Sequence, residues 1–70
     1  MGRAILYNLY SVRYRDGIEY KNLVARGDDI NYLKMVMNQE LHSGYVDCCL
    51  IESVRNGVHS RVCEKWSEID

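Results

Sequence analysis

Residues 4–26 read AILYNLYSVRYRDGIEYKNLVAR, which places Asp16-Gly17 between two runs rich in aliphatic and aromatic side chains. Asp-Gly suits the two central positions of a type I′ turn, because both positions need a positive φ angle. The pattern predicts a β-hairpin made of residues 4–15 and 18–26. Asn56-Gly57 lies in the same way between residues 45–55 and 58–66, which predicts a second hairpin.

The segment between the two hairpins carries helix signals. Asp28 and Asp29 supply carboxylates at a helix start and Ser43-Gly44 supplies a stop, which predicts a helix over residues 29–42. Apolar side chains recur along it at helical spacing and form one stripe, which we expect to pack on the sheet. The stripe contains Ile30, Leu33, Met37 and Leu41, with Val36 beside it, whereas Tyr32 and Met35 point elsewhere.

These elements predict an α+β fold in the order ββαββ. Two hairpins flank one helix, and the four strands form one mainly antiparallel sheet with the helix on one face. The 70 residues are enough for a single domain, residues 1–70, with a small core and a stability of about a few kcal/mol.

Two-residue turns also predict the strand register, since they pair Arg15 with Ile18 and Arg55 with Val58. Counting back from the first turn places Arg13 opposite Tyr20 and Tyr7 opposite Arg26. We expect the core face of the first hairpin to be the one without arginine. That face would carry Leu6, Asn8, Tyr10, Val12 and Tyr14 with Leu23 and Ala25.

The second hairpin does not reveal its buried face, because both faces keep several apolar residues. Counting from the turn places Cys48 and Cys63 on one face and Trp66 on the other. It also places Glu52 opposite Arg61, a pairing that predicts a cross-strand ion pair. Apolar residues on the face without the helix need cover, and self-association is the simplest source of it.

The composition favours a protein of a reducing compartment. Three Cys is an odd number, whereas small secreted domains usually carry an even disulfide framework, so we expect a cytoplasmic location. No apolar run reaches membrane length. Net charge is −1, but residues 1–27 carry +3 and residues 28–70 carry −4, which favours one basic and one acidic surface.

No pattern in the chain predicts catalysis, a cofactor or a metal centre. Zinc-ligating residue types are present, but no pair has Cys-x-x-Cys spacing and Cys49 should point away from Cys48. Asp28 and Asp29 could be paired carboxylates for acid–base work, yet a helix N-cap explains them better. We expect a protein that is not an enzyme.

The strongest candidate for a binding site is a set of tyrosine and arginine residues on one face of the first hairpin. These residue types are enriched in protein–protein hot spots, and they also stack bases and hold phosphates. The sequence thus favours a module that binds a larger protein, as a homodimer and in the manner of phage or mobile-element inhibitors and accessory factors. Binding of single-stranded nucleic acid is the alternative. The candidate residues are Tyr7, Arg13, Arg15, Tyr20 and Arg26, with Tyr32 and Met35 on the helix.

Overall fold

A computed structural model describes residues 5–67 and contains four strands and one helix. The strands are β1 (Leu6–Arg15), β2 (Ile18–Gly27), β3 (Cys48–Arg55) and β4 (Val58–Trp66), and the helix is α1 (Ile30–His42). The strands form one antiparallel sheet in the order β2-β1-β3-β4, with α1 on one face. The predicted ββαββ fold is confirmed. Ala4, at the start of the predicted first strand, lies outside the described residues.

Both predicted turns form as expected. Asp16 and Gly17 have φ angles of 54° and 78°, and Asn56 and Gly57 have 51° and 79°. Positive φ at both central positions is the mark of a type I′ turn, whose twist matches that of the paired strands. The turns fix Arg15 opposite Ile18 and Arg55 opposite Val58, as predicted.

Helix α1 begins and ends where the sequence signals place it. The Asp29 side chain accepts hydrogen bonds from the backbone N–H groups of Asn31 and Tyr32, at 3.0 and 3.3 Å, and so caps the helix. Ser43 ends the helix and Gly44 follows with φ of 80°. The helix stripe packs on the sheet as expected, with Leu33, Met37 and Leu41 buried.

Each outer strand contains a β-bulge that turn-based counting cannot predict. In β2, Ala25 pairs with Leu9 but Leu23 pairs with Tyr10, so Val24 is an extra residue. In β4, Cys63 pairs with Ile51 but Arg61 pairs with Glu52, so Val62 is extra. A bulge reverses the facing of all residues beyond it relative to a regular ladder.

The core lies on the face of the sheet that we expected to be exposed in the first hairpin. Leu9 is fully buried there with Ile51 and Cys49 beneath the helix. The prediction was wrong because it assumed that a core face carries no arginine. Arg13 and Arg15 are on the core face, but they follow the last β1–β3 pair, Val12 with Cys48, and so lie beyond the centre of the sheet.

The opposite face, here called the open face, covers a small apolar cluster with its own side chains. Val12, Cys48 and Leu50 are at most 6% exposed although no helix lies on them. Their neighbours on the outer strands have long side chains: Lys21 pairs with Val12, Trp66 with Cys48 and Glu64 with Leu50. Such side chains cover apolar surface with their stems while their polar ends stay in water.

The two hairpins are related by an approximate two-fold axis through the centre of the sheet, between Leu9 and Ile51. Both bulges occur one step from this central pair, and counting along the strands gives Ser11-Val12-Arg13 and Ser53-Val54-Arg55 equivalent register positions. The molecule is accordingly long, at 46 × 23 × 14 Å, with one hairpin tip at each end.

Within residues 5–67, no helix is long and apolar enough to cross a membrane.

Candidate functional site

The structure brings Arg13, Arg15 and Tyr20 together at the tip of the first hairpin. Arg13 pairs with Tyr20 across the strands, and alternation along β1 places Arg15 on the same face. With Asn22 these residues line an open concavity of about 300 Å³, here called the arginine concavity. Three of the seven predicted binding residues therefore share one site.

Arg13 is the residue of this site whose bonding is incomplete. Its Nε atom is buried and has no hydrogen-bond partner within residues 5–67. A buried N–H donor without an acceptor costs about 1–3 kcal/mol, which is why nearly all such groups are paired in folded proteins. Among residues 5–67, no acidic residue lines the concavity, so an incoming carboxylate would meet two guanidinium groups and no like charge from these residues.

Tyr20 supplies the aromatic surface of the arginine concavity. It is 49% exposed, and the two-residue turn together with the antiparallel ladder holds it beside Arg13. A tyrosine ring brings a large contact area with few rotatable bonds, and a guanidinium group stacks well on it. Asn22 adds an amide that can both donate and accept a hydrogen bond.

Two of the predicted residues lie elsewhere because of the bulge at Val24. Arg26 pairs with Asn8, not with Tyr7, and lies on the open face, where its Nε donates to Asn8 Oδ1 over 3.3 Å. Tyr7 pairs with Gly27 and packs against the helix-side core. The expected Tyr7–Arg26 pair does not form.

Tyr32 and Met35 lie on the outer side of α1, as expected, with exposures of 54% and 50%. They are three residues apart, so their side chains are neighbours on the helix surface. The arginine concavity contains neither of them. They form a separate small apolar patch.

Sequence reasoning missed the counterpart of the arginine concavity at the other end of the sheet. A second open concavity, of about 440 Å³, contains Arg55, the two-fold mate of Arg13. The signal was present in the recurrence of Ser-Val-Arg at residues 11–13 and 53–55. Of the described residues, those that line this second concavity include one arginine and no aromatic ring. Its lining residues are Ile5, Ser53, Arg55, Asn56, Val58 and Ser60.

Glu52 is the centre of an ionic group on the open face. Lys21 Nζ lies 4.3 Å from the centre of the Tyr10 ring and 3.3 Å from Glu52 Oε2, so its side chain crosses β1. His59 Nδ1 lies 3.1 Å from Glu52 Oε1. Burial raises the pKa of Glu52, but the hydrogen bonds and charges of His59 and Lys21 lower it more, so this pKa lies below its ordinary value.

The predicted ion pair between Glu52 and Arg61 does not form, although their register is as expected. Arg61 instead binds Glu64, with 2.8 Å between Nη1 and Oε1. Glu64 is three residues along the same strand, and the bulge at Val62 lets the two side chains meet. Glu52 therefore pairs with Lys21 and His59.

The cysteines do not converge. The bulge at Val62 turns Cys63 to the helix side, opposite Ile51, and so separates it from Cys48 on the open face, contrary to the predicted register. Cys49 lies beneath the helix, where burial raises its pKa to about 11. Among residues 5–67, no group of His, Cys, Asp and Glu side chains is arranged to hold a metal ion.

Comparison of the chain with models of protein families, with curated proteins and with solved structures finds no match.

Proposed function

We propose that this protein is a non-enzymatic binding module that holds an acidic segment of a larger protein in the arginine concavity. It acts by occupying that surface of its partner, as a small inhibitor or accessory factor does. The observation that carries the proposal is the buried Arg13 Nε–H without an acceptor, beside Arg15 and Tyr20.

A carboxylate is the group that best completes this arrangement. The planar guanidinium of Arg13 can donate two parallel hydrogen bonds to one carboxylate, and Arg15 adds a second positive charge. Tyr20 offers a half-exposed ring for the apolar part of the partner segment. Arginine and tyrosine in one concave site are typical of the residues that dominate the energy of protein interfaces.

A protein partner is favoured over single-stranded nucleic acid by what the site lacks. A single-strand platform tracks several phosphates and stacks successive bases on several rings. Tyr7 packs against the core and Arg26 lies on the open face, so the arginine concavity keeps one ring and two arginines. The net charge of −1 also differs from the basic excess usual in nucleic-acid-binding domains.

The proposal does not require a homodimer. Self-association was expected because apolar residues on the face without the helix need cover, and the most central of these, Val12, Cys48 and Leu50, are already buried within one chain. The arginine concavity is formed within one chain of 8.2 kDa, and the homodimer stays a prediction that sedimentation equilibrium tests.

Fluorescence anisotropy with two labelled probes tests the proposed function. One probe is a short glutamate-rich peptide that contains a leucine, and the other is a mixed-sequence single-stranded oligonucleotide. We expect saturable binding of the peptide, weakened about tenfold or more in the double variant Arg13→Ala, Arg15→Ala. Arg26→Ala is the control, because it removes one positive charge from the open face, whereas the double variant removes two from the arginine concavity.

Three outcomes contradict the proposal. The first is no binding of the peptide at millimolar protein, and the second is equal loss of affinity in the Arg26 variant. The third is tighter binding of the oligonucleotide than of the peptide, with a steep dependence on salt, which would support the nucleic-acid alternative.

A further inference from the structure

A stacked aromatic pair lies at the end of the sheet where β4 ends. The rings of Tyr14 and Trp66 are nearly parallel, with 7° between their planes and 6.0 Å between their centres. Tyr14 is in β1 and Trp66 in β4, the two strands that lie on either side of β3. They remain 40% and 51% exposed, so the stack does not remove them from solvent.

Three carboxylates surround this pair. Glu19 Oε1 accepts a hydrogen bond from the Tyr14 hydroxyl at 3.4 Å, and Asp47 Oδ2 accepts one from the Tyr14 backbone N–H at 2.7 Å. Glu64 Oε2 accepts from the Trp66 indole N–H at 2.6 Å. Within residues 5–67, one of the three is in an ion pair, since Arg61 binds Glu64. The neighbourhood of the rings is therefore negative.

The pKa of the Tyr14 hydroxyl is affected by its surroundings. Desolvation raises the pKa of Tyr14 above its ordinary value, and the nearby carboxylates of Glu19 and Glu64 and the titrating Cys48 raise it further. Desolvation disfavours a charge of either sign, whereas the carboxylates of Glu19 and Glu64 also favour a positive charge beside the rings.

Beside the rings lies an open concavity of about 440 Å³. Tyr14 and Trp66 form one part of its wall and Asp47 places a carboxylate in it, while Gly44, Val46 and Ser67 complete the lining. No basic side chain lines this concavity within the part of the chain that the structure describes. Aromatic faces with a carboxylate beside them attract an ammonium or guanidinium group, by about 0.5–2 kcal/mol for the cation–π contact alone.

We propose that the Tyr14–Trp66 concavity binds a lysine side chain of a protein partner. The aliphatic stem of lysine packs on the indole and phenol rings, and its ammonium group reaches the carboxylate of Asp47 in the field of Glu19 and Glu64. This site is independent of the arginine concavity, because the charges are opposite and Tyr14 points to the other side of β1 from Arg13 and Arg15.

The fluorescence of Trp66 reports binding directly, since it is the only tryptophan in the chain. The probe is a short lysine-rich peptide without aromatic residues, and its matched control is the same peptide with every lysine acetylated. We expect the first peptide to change the Trp66 emission in a saturable way that weakens with salt. The acetylated peptide, which keeps the length but loses the charge, should leave the emission unchanged.

Protein variants locate the interaction. Glu19→Gln with Glu64→Gln keeps hydrogen-bond acceptors for Tyr14 and Trp66 but removes two charges. We expect this double variant to bind the lysine-rich peptide at least fivefold more weakly than the wild type. Glu40→Gln is the control, because Glu40 lies on α1 and away from the rings. Arg13→Ala with Arg15→Ala should bind this peptide as the wild type does, which separates this proposal from the proposed function.

An unchanged emission, an equal response to the acetylated peptide, or an equal affinity in the Glu19, Glu64 variant would overturn the proposal. Far-ultraviolet circular dichroism of each variant confirms that the sheet is intact, so a loss of binding reports the site itself.

Discussion

Arg26 donates a hydrogen bond from Nε to Oδ1 of Asn8 over 3.3 Å, on the open face of the sheet. Asn8 in turn donates from Nδ2 to the Tyr10 hydroxyl over 3.1 Å. This pairing exists because Val24 is an extra residue in β2, which places Arg26 opposite Asn8 and on the opposite face from Arg13. One bulge thus separates Arg26, which is bonded to Asn8, from Arg13 and Arg15 in the proposed binding site.

Replacing Arg26 by alanine should lower stability and leave peptide binding unchanged. Asn8 is 5% exposed and loses a donor, so we expect the free energy of unfolding to fall by about 1 kcal/mol. Arg15→Ala, at an exposed position with no ion pair in the described chain, should change it by no more than about 0.5 kcal/mol. Urea unfolding of the two variants provides the comparison, and an equal effect would contradict the assigned roles.

Two leucine substitutions test which face of the first hairpin is the core. Leu9 is fully buried beneath the helix, so Leu9→Ala should cost about 2–5 kcal/mol, enough to unfold much of a domain this small. Leu23 is 51% exposed on the open face, and Leu23→Ala should cost about 1 kcal/mol or less. Thermal unfolding by circular dichroism compares the stability of the two variants. A larger loss in Leu23→Ala than in Leu9→Ala would contradict the assignment of the core to the helix side.

Local signals in the sequence were sufficient for the elements of the fold. Asp16-Gly17 and Asn56-Gly57 determine both hairpins because few other residues accept positive φ, and Asp29 determines the helix start through its own side chain. Each of these signals acts over a few residues. That is why element order and turn register could be predicted.

The bulges and the choice of core face depend on contacts between distant parts of the chain. Nothing near Val24 or Val62 marks an extra residue, since valine also fits a regular strand. Arg13 follows the last β1–β3 pair, Val12 with Cys48, and an arginine on the core face is tolerated at that position. The predicted site is correct next to the turn, at Arg13, Arg15 and Tyr20, because the predicted register is wrong only beyond the bulge.

Stability should fall in acid because of Glu52. Its pKa is lowered in the folded protein, so the stabilisation is fully present above the ordinary value of 4.5 and is lost as pH falls through the lower folded value. We expect Glu52→Gln to be less stable than the wild type near neutral pH and to show a shallower loss below about pH 4.5. Urea midpoints measured across this range test the expectation, and parallel pH profiles would contradict it.

Thiol reactivity should distinguish Cys63 from the other two cysteines. Cys48 and Cys49 are at most 1% exposed, and burial raises the pKa of both thiols, whereas Cys63 is partly exposed. Ellman's reagent should therefore titrate one thiol quickly in the native protein and all three in urea. Cys63→Ser should remove the fast phase, and a fast phase that persists in this variant would contradict the burial of Cys48 and Cys49.

The most direct test of the central claim is the NMR signal of the Arg13 side-chain Nε–H group. In the free protein we expect this proton to lack an acceptor, and addition of the glutamate-rich peptide should move its resonance downfield and slow its exchange with water. The Arg26 Nε–H resonance, already bonded to Asn8, should stay in place. An Arg13 signal that does not respond at saturating peptide, or that moves no more than that of Arg26, would contradict the account.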